Sequence, residues 1–313
     1  MKYSIGVDIG GTNIAIAIVN QHGIIINETV IPTDLSIKPR EMIDRVCEEI
    51  KNSIKKSTIK KAEIIGIGIG APAPLDNENG VIMGPTNLKS WVDIPICELV
   101  EQSFSLPVTL ENDANAAAFA EKWIGAAKEN DNFTYITIST GIGAGIFVEG
   151  KLLSGFKGNA GEIGHTVIDP SFGQCSCGQK GCLESIASGT AIAKEGSKIM
   201  GVELSTKEIF HLYAERNPKI VHYIEDVFKV IGIACVNLIN TFDPEKVVIG
   251  GGVSKVGDPL FESIRAYVSQ YAFSQTGRET EIVPAKLNQG SGVIGAAALC
   301  FVPRVVHSAL SPT

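Results

Sequence analysis

The chain has 313 residues, 44% of them hydrophobic and 19% charged, with a formal net charge of -7. This length supports two domains with cores of their own, and the composition excludes a disordered chain. The acidic balance argues against a nucleic-acid or anionic-membrane surface, and no apolar run approaches the roughly eighteen residues of a membrane span, so neither partner is expected.

Weak alternation over residues 3–7 and 14–19, around Gly10-Gly11-Thr12, predicts a β-hairpin. A turn at 20–23 leads to a third strand over 24–31. Residues 38–56 have helical spacing, with Met42, Ile43, Val46, Ile50 and Ile54 on one face. A buried strand over 64–69 is followed by Pro72 and Pro74, which end regular structure. A short helix over 95–104 and a short strand over 108–110 come next, then an alanine-rich helix capped by Asn112 or Asp113 and running to about Ala127. The second half opens in the same way: a strand over 133–138, a glycine turn over 140–145 and a returning strand over 146–148. This reads as a weak internal repeat of the opening hairpin. Three or four helices are predicted between Leu183 and Thr241. A strand over 247–249 ends in Gly250-Gly251-Gly252, and a helix over 259–269, a strand over 281–283 and a helix over 291–300 close the chain. Two strand-rich halves imply an α/β protein of two similar domains, hinged near residue 112.

Asp8 and the Gly10-Gly11 pair interrupt the first apolar stretch, so no signal peptide is read and a cytoplasmic location is expected. There the seven cysteines read as thiols or metal ligands. Cys47, Cys97, Cys235 and Cys300 lie scattered in apolar surroundings and are taken as buried small hydrophobes.

Three glycine turns carry the first chemical signal. Gly10, Gly11, Thr12 and Asn13 follow Asp8 directly. Glycines let the main chain approach an anion and turn its N–H groups inward, while Thr12 and Asn13 add side-chain donors. Asp8 is suited to holding a magnesium-bound water. The second turn, from Ser139 to Gly145, includes Thr140, Gly141 and Gly143, and the third is Gly250, Gly251 and Gly252. One such turn is explained by hairpin geometry alone, but three at strand ends favour phosphate binding. None fits GxxxxGK[ST] or GxGxxG, which excludes a P-loop and disfavours a dinucleotide fold.

Asn112-Asp113 stands at a strand end where a helix begins. The plain reading of Asp113 is a helix cap. The functional reading is a general base, taking a hydroxyl proton as that oxygen attacks a γ-phosphate. His165, Cys175, Cys177 and Cys182 form the most specific signal: three thiols within eight residues, with one imidazole, fill a closed tetrahedral zinc site. With four protein ligands, such a metal is structural. Glu162 and Glu184 flank the site without being needed as ligands and are placed to accept from substrate hydroxyls.

Together these residues resemble the ROK family of sugar kinases, transcriptional repressors and uncharacterised open reading frames. Asp8 to Asn13 is similar to the family's first phosphate motif and Ser139 to Gly145 to its second. Gly161-Glu162-Ile163-Gly164-His165, with the stretch from Cys175 to Glu184, matches the family signature. The resemblance covers nearly the whole chain. It implies the actin/hexokinase-type, ribonuclease H-like fold: residues 1–112 plus about 291–313 as a smaller N-terminal domain, 113–290 as a larger one, and a cleft holding ATP and sugar. It implies that Asp113 is the base, that Asn112, Glu162, His165 and Glu184 hold sugar hydroxyls, and that His165, Cys175, Cys177 and Cys182 bind Zn2+. Gly250 to Gly252 would lie near the adenosine, and Thr86 and Asn87 would add sugar contacts. The family's repressors carry a DNA-binding module ahead of the kinase-like portion. A first phosphate motif at residue 8 leaves no room for one here, so an enzyme is expected over a sensor. The stretch from Cys177 to Glu184 resembles the glucokinase branch. The expected reaction is phosphorylation of glucose at its 6-hydroxyl with ATP and Mg2+. The alternatives are an N-acetylmannosamine or N-acetylglucosamine kinase and a non-catalytic sugar sensor. A homodimer or higher homo-oligomer is expected from the same resemblance.

Overall fold

The structure is a computed structural model that describes residues 1–85, 87–156, 158–287 and 291–302. Its elements in the first part of the chain are β1 (Tyr3–Ile9), β2 (Asn13–Asn20), β3 (Ile25–Pro32), α1 (Pro39–Lys56), β4 (Ile64–Ala71), β5 (Leu75–Asp76), β6 (Val81–Ile82), α2 (Ile96–Phe104), β7 (Val108–Asn112) and α3 (Asp113–Ile124). Then come β8 (Phe133–Ile138), β9 (Ile142–Val148), β10 (Lys151–Leu152), α4 (Leu183–Ala187), α5 (Gly189–Met200), α6 (Thr206–Ala214), α7 (Pro218–Phe242), β11 (Lys246–Gly250), α8 (Asp258–Tyr271), α9 (Gln275–Arg278), β12 (Glu281–Pro284) and α10 (Ser291–Ala298). Two compact units result: Met1–Ile124 with Glu149–Ala160 and α10, and Gly125–Val148 with the stretch from Gly161 through β12. The division falls at Ile124, whereas the hinge was expected near residue 112. Helix α3 goes with the first unit because it packs tightly on α10: a Cβ at Gly295 would come 2.8 Å from the Ala116 carbonyl oxygen.

In the first unit the sheet runs β3-β2-β1-β4-β7, with β1 antiparallel to β2 and parallel to β4. Strand alternation sorts its residues by size. In β4, Ile67 and Ile69 point to one face while Gly66, Gly68 and Gly70 point to the other. In β1, Ile5, Val7 and Ile9 share the isoleucine face, and Gly6 pairs with Gly68 on the glycine face. The isoleucine face meets Met42, Ile43, Val46, Cys47 and Ile50 of α1 in one buried cluster. The glycine face takes α10 at backbone distance: a Cβ at Gly6 would overlap the Val293 carbonyl, and one at Gly68 that of Ala296. Val293 and Ala297 are buried there with Ala17 and Val19.

The second unit repeats the plan. Its sheet carries β9-β8-β11-β12 in that order, with β8 antiparallel to β9 and parallel to β11. The internal repeat read from the glycine hairpins is thus a repeat of strand order. The four helices α4 to α7 fall where three or four were predicted. Some boundaries differ. The returning strand starts at Ile142, since Ile138 already pairs with Ile142, so the turn shrinks to 139–141 and Gly143 and Gly145 become strand residues. Gly252 leads into a short 3-10 turn, Val253–Val256, before α8 begins. The β5–β6 hairpin and β10, two residues per strand, are too short to show a period. Cys47, Cys97 and Cys235 are buried, but Cys300 lies past the end of α10 and is only half-buried. No helix among the described residues is long and apolar enough to cross a membrane.

Candidate functional site

In the first unit the candidate residues collect where β1 and β7 end. Asp8 is the penultimate residue of β1, half-buried, and pairs in register with Gly70. The following turn is closed by the Gly10 N–H donating to the Asn13 carbonyl at 2.9 Å. Thr33 steadies it from β3's end: its N–H donates to the Thr12 carbonyl (2.8 Å) and its hydroxyl to the Gly10 carbonyl (2.8 Å). The side chains of Thr12 and Asn13 stay exposed, as binding groups must. Asn87 lies against this turn, since a Cβ at Gly11 would come 3.1 Å from its Cβ. Thr86 lies outside the described residues.

Asn112 closes β7 and Asp113 opens α3. The Asn112 Oδ1 accepts the Asn115 N–H at 2.7 Å and so caps the helix, which commits that oxygen and leaves the amide NH2 as a donor. The Asp113 Oδ1 accepts the Ala114 N–H at 2.8 Å. Solvent reaches the Asp113 side chain, yet protein atoms crowd it densely. Desolvation therefore holds its carboxyl above the usual carboxylate range, against the opposing pull of the Ala114 N–H and its own. Asp8 is pushed up to about 6, first by burial and then by the charge of Asp113. Two strand ends 105 positions apart in sequence thus hold carboxyls close enough to repel. Gly292 at the start of α10 makes room for this, because a Cβ there would overlap the Asp8 carboxylate.

In the second unit the motif Gly161 to His165 lies along β9. Gly161 has φ +91°, and a Cβ there would come 2.6 Å from the Ala144 carbonyl oxygen, while one at Gly164 would overlap that of Ile142. Only glycine permits this approach at both positions. Glu162 is exposed at the start of a short 3-10 turn, Ile163–His165. Glu184, in the first turn of α4, accepts the Ile142 N–H through Oε2 at 2.9 Å. It braces the turn 139–141, whose Ser139 N–H donates to the Gly141 carbonyl at 2.9 Å. Thr140 and Gly141 stand in that turn, and Gly143 pairs with Thr137 on β9. Gly250, Gly251 and Gly252 follow the β11 end, and Gly251, at φ +88°, approaches the Ile138 backbone too closely for any side chain.

His165, Cys175, Cys177 and Cys182 present ligand atoms all within 4.8 Å of one another. Cys175 Sγ stands 3.6 Å from His165 Nδ1, and Cys177 Sγ 3.7 Å from Cys182 Sγ. A tetrahedral ion with metal–sulfur bonds of about 2.3 Å and metal–nitrogen bonds of about 2.0 Å needs ligand atoms roughly 3.5–3.8 Å apart, so the set fits. The loop is shaped to deliver it: the Cys175 N–H donates to the Gln179 carbonyl (2.7 Å), the Gly178 N–H to that of Cys175 (3.0 Å), and the Gln179 amide to that of His165 (3.2 Å). Cys177 is drawn down to about 7, chiefly by the Gln179 backbone N–H, while burial pushes Cys182 up to about 12. Sequence reasoning missed Glu111, Asn77 and Asn115, which meet beneath Asn112. Their one sequence signal is a lone acid in the otherwise uncharged strand Val108–Asn112.

The sequence matches the ROK family over residues 4–301. It is 34% identical to a glucokinase of Halalkalibacterium halodurans, over 95% of this chain and 94% of that protein. It is 33% identical to a xylose repressor of Caldicellulosiruptor bescii, over 94% of this chain and 77% of that one. Among solved structures, a ROK hexokinase from Thermus thermophilus superposes with a TM-score of 0.84 at 32% identity, covering 96% of this chain and 98% of the other. A ROK glucokinase from Streptomyces griseus, in complex with glucose and AMPPNP, gives 0.76 at 30% identity, with 95% and 98% covered. The fold is accordingly the actin/hexokinase-type fold of those hexokinases. On this breadth of sequence and structural agreement, the chain belongs to the ROK family.

Proposed function

We propose that this protein is an ATP-dependent sugar kinase that phosphorylates glucose at its 6-hydroxyl. One observation carries the reading: Asp113 begins a helix at a strand end, open to solvent yet crowded by protein atoms, beside an Asn112 amide whose oxygen is already committed. A carboxylate so placed takes the hydroxyl proton as the sugar oxygen bonds to the γ-phosphorus, the bond to the β-bridging oxygen breaks, and ADP leaves. Its raised pKa brings it closer to working pH, which makes it a stronger base than an ordinary surface aspartate. Asn112, Glu162, His165 and Glu184, with Asn87, are assigned to the sugar hydroxyls. The turns at Gly10–Asn13, Thr140–Gly143 and Gly250–Gly252 are assigned to ATP. Magnesium would be held through water by Asp8 and would neutralise phosphate charge. The quartet of His165, Cys175, Cys177 and Cys182 would hold a structural zinc ion that keeps Glu162 and Glu184 in place. Similarity to glucokinases, one of them solved with glucose and a nucleotide analogue, supports the same reading.

Similarity to a xylose repressor favours a second reading, a sugar sensor without turnover. A coupled ADP-release assay over glucose, mannose, fructose, xylose, N-acetylglucosamine and N-acetylmannosamine separates the readings. Glucose is expected to give the highest kcat/KM. A preference for an N-acetylhexosamine would replace glucose as substrate, and sugar binding without ADP release from any of them would leave the sensor.

A further inference from the structure

We infer that Glu111 is a positioning residue for the Asn112–Asp113 pair. It is 1% exposed, in a strand where an acid has no packing advantage. Its Oε1 accepts three N–H groups: the Asn77 amide at 2.6 Å, the Asn112 backbone at 2.9 Å and the Asn115 amide at 3.0 Å. One carboxylate oxygen therefore ties the turn of the β5–β6 hairpin, the end of β7 and the first turn of α3. Hydrogen bonds to a charged acceptor are the stronger kind, and inside a protein they hold geometry firmly. The ties also close a ring. Asn115, itself 1% exposed, donates its amide to Glu111 and its backbone N–H to Asn112 Oδ1, while the Asn112 backbone N–H donates to Glu111. Unwinding the start of α3 would break both bonds made by Asn115, and swinging the Asn112 side chain away would break the cap. Asp113 inherits its backbone placement from this ring, because it follows the anchored Asn112 and precedes the anchored Asn115 by two positions. Across the sheet Glu111 pairs with Gly70, which pairs with Asp8, so the anchor of the Asn112–Asp113 pair lies in the same row as Asp8.

Acceptor and charge are separable here. Alanine at 111 strands three N–H groups. Glutamine keeps an acceptor oxygen and adds an NH2 group in a neighbourhood where Asn77 Oδ1 and Asn115 Oδ1 are buried without a hydrogen-bond partner.

The experiment compares wild type, E111A, E111Q and N77A, all folded by circular dichroism at the assay temperature, with sugar and Mg-ATP varied separately. Amide hydrogen exchange is followed over residues 108–118. Expected for E111A is roughly a tenfold or greater loss of kcat, a sugar KM raised several-fold, an ATP KM within about twofold, and faster exchange at 111–116. E111Q should return kcat to within about threefold of wild type, and N77A should fall between. A folded E111A with kcat within about twofold of wild type overturns the inference, as does an E111Q as impaired as E111A. If E111A does not fold, N77A decides, and unchanged kcat and exchange there overturn it. The inference rests on the sugar-kinase reading, but the two fail separately. Wild type inactive on every sugar removes the kinase, while exchange at 111–116 that is equal in wild type and E111A removes the anchor.

Discussion

The two units share a strand order and differ in what holds their candidate residues. In the first, Asp8, Asn112 and Asp113 sit on strand ends and a helix start, and regular structure does the positioning. In the second, the stretch from Gly161 to Cys182 holds only a short 3-10 turn and isolated bridges, and four potential ligand atoms gather in a loop ordered by turn hydrogen bonds and by packing on β9. One topology has thus been used twice, with the candidate residues held on a sheet in one case and carried by a loop that gathers three thiols and an imidazole in the other. The first unit should accordingly be sensitive to single-atom crowding and charge, and the second to loss of its clamp.

The sharpest break falls on the first unit. Asp113→Asn should leave sugar affinity within a few-fold yet lower kcat by roughly 100-fold or more. Steady-state kinetics with calorimetric sugar binding reads both, and unchanged turnover would exclude Asp113 as base. Cys177→Ser tests the second unit. It should release the metal, speed hydrogen exchange across 161–182 while the sheet of the first unit keeps its protection, and weaken sugar binding by roughly tenfold or more. Full metal occupancy in the variant would defeat that expectation. Gly292→Ala returns to the first unit by adding one methyl against the Asp8 carboxylate. Its kcat/KM for Mg-ATP should fall by about fivefold to tenfold with metal content unchanged. Activity equal to wild type would show that Asp8 tolerates displacement.

The smallest effect concerns pH. Asp8 titrates near 6 in the fold against about 3.8 unfolded, so the folded state holds its proton more tightly. That contribution is present at low pH and is lost as pH rises from about 4 to about 6. Asp8→Asn removes the loss. Allowing for the partial exposure of Asp8, the variant should gain about 1 kcal/mol relative to wild type between pH 4 and 7, read from paired thermal melts, while its activity falls. A constant difference across that range would mean that Asp8 is not strained by burial and by its neighbour.

Much of this was readable from the chain. Met42, Ile43, Val46 and Ile50 announced α1 by their spacing, and all four are buried. The quartet of three cysteines and one histidine was visible because its members lie within eighteen positions of one another, so their spacing reports on one loop. The glycine hairpins showed the repeat because a tight turn between two strands is a local event. The shift of the returning strand to Ile142 was not visible, since isoleucine and glycine at 142–145 satisfy a turn and a strand pattern alike, and pairing with β8 decides between them.

What the sequence determined alone is therefore local: element types, turn positions, the candidate acid at a helix start and the clustered thiols, each governed by residues within a few turns of chain. What only the tertiary structure decided is which distant residues share a face. Gly6 and Gly68 admit α10, Asp8 and Asp113 repel, Glu184 braces the Ile142 N–H, and Glu111 gathers Asn77 and Asn115. Hydrophobic periodicity records which side of an element is buried but not against what, and strand order alone supplies the partner.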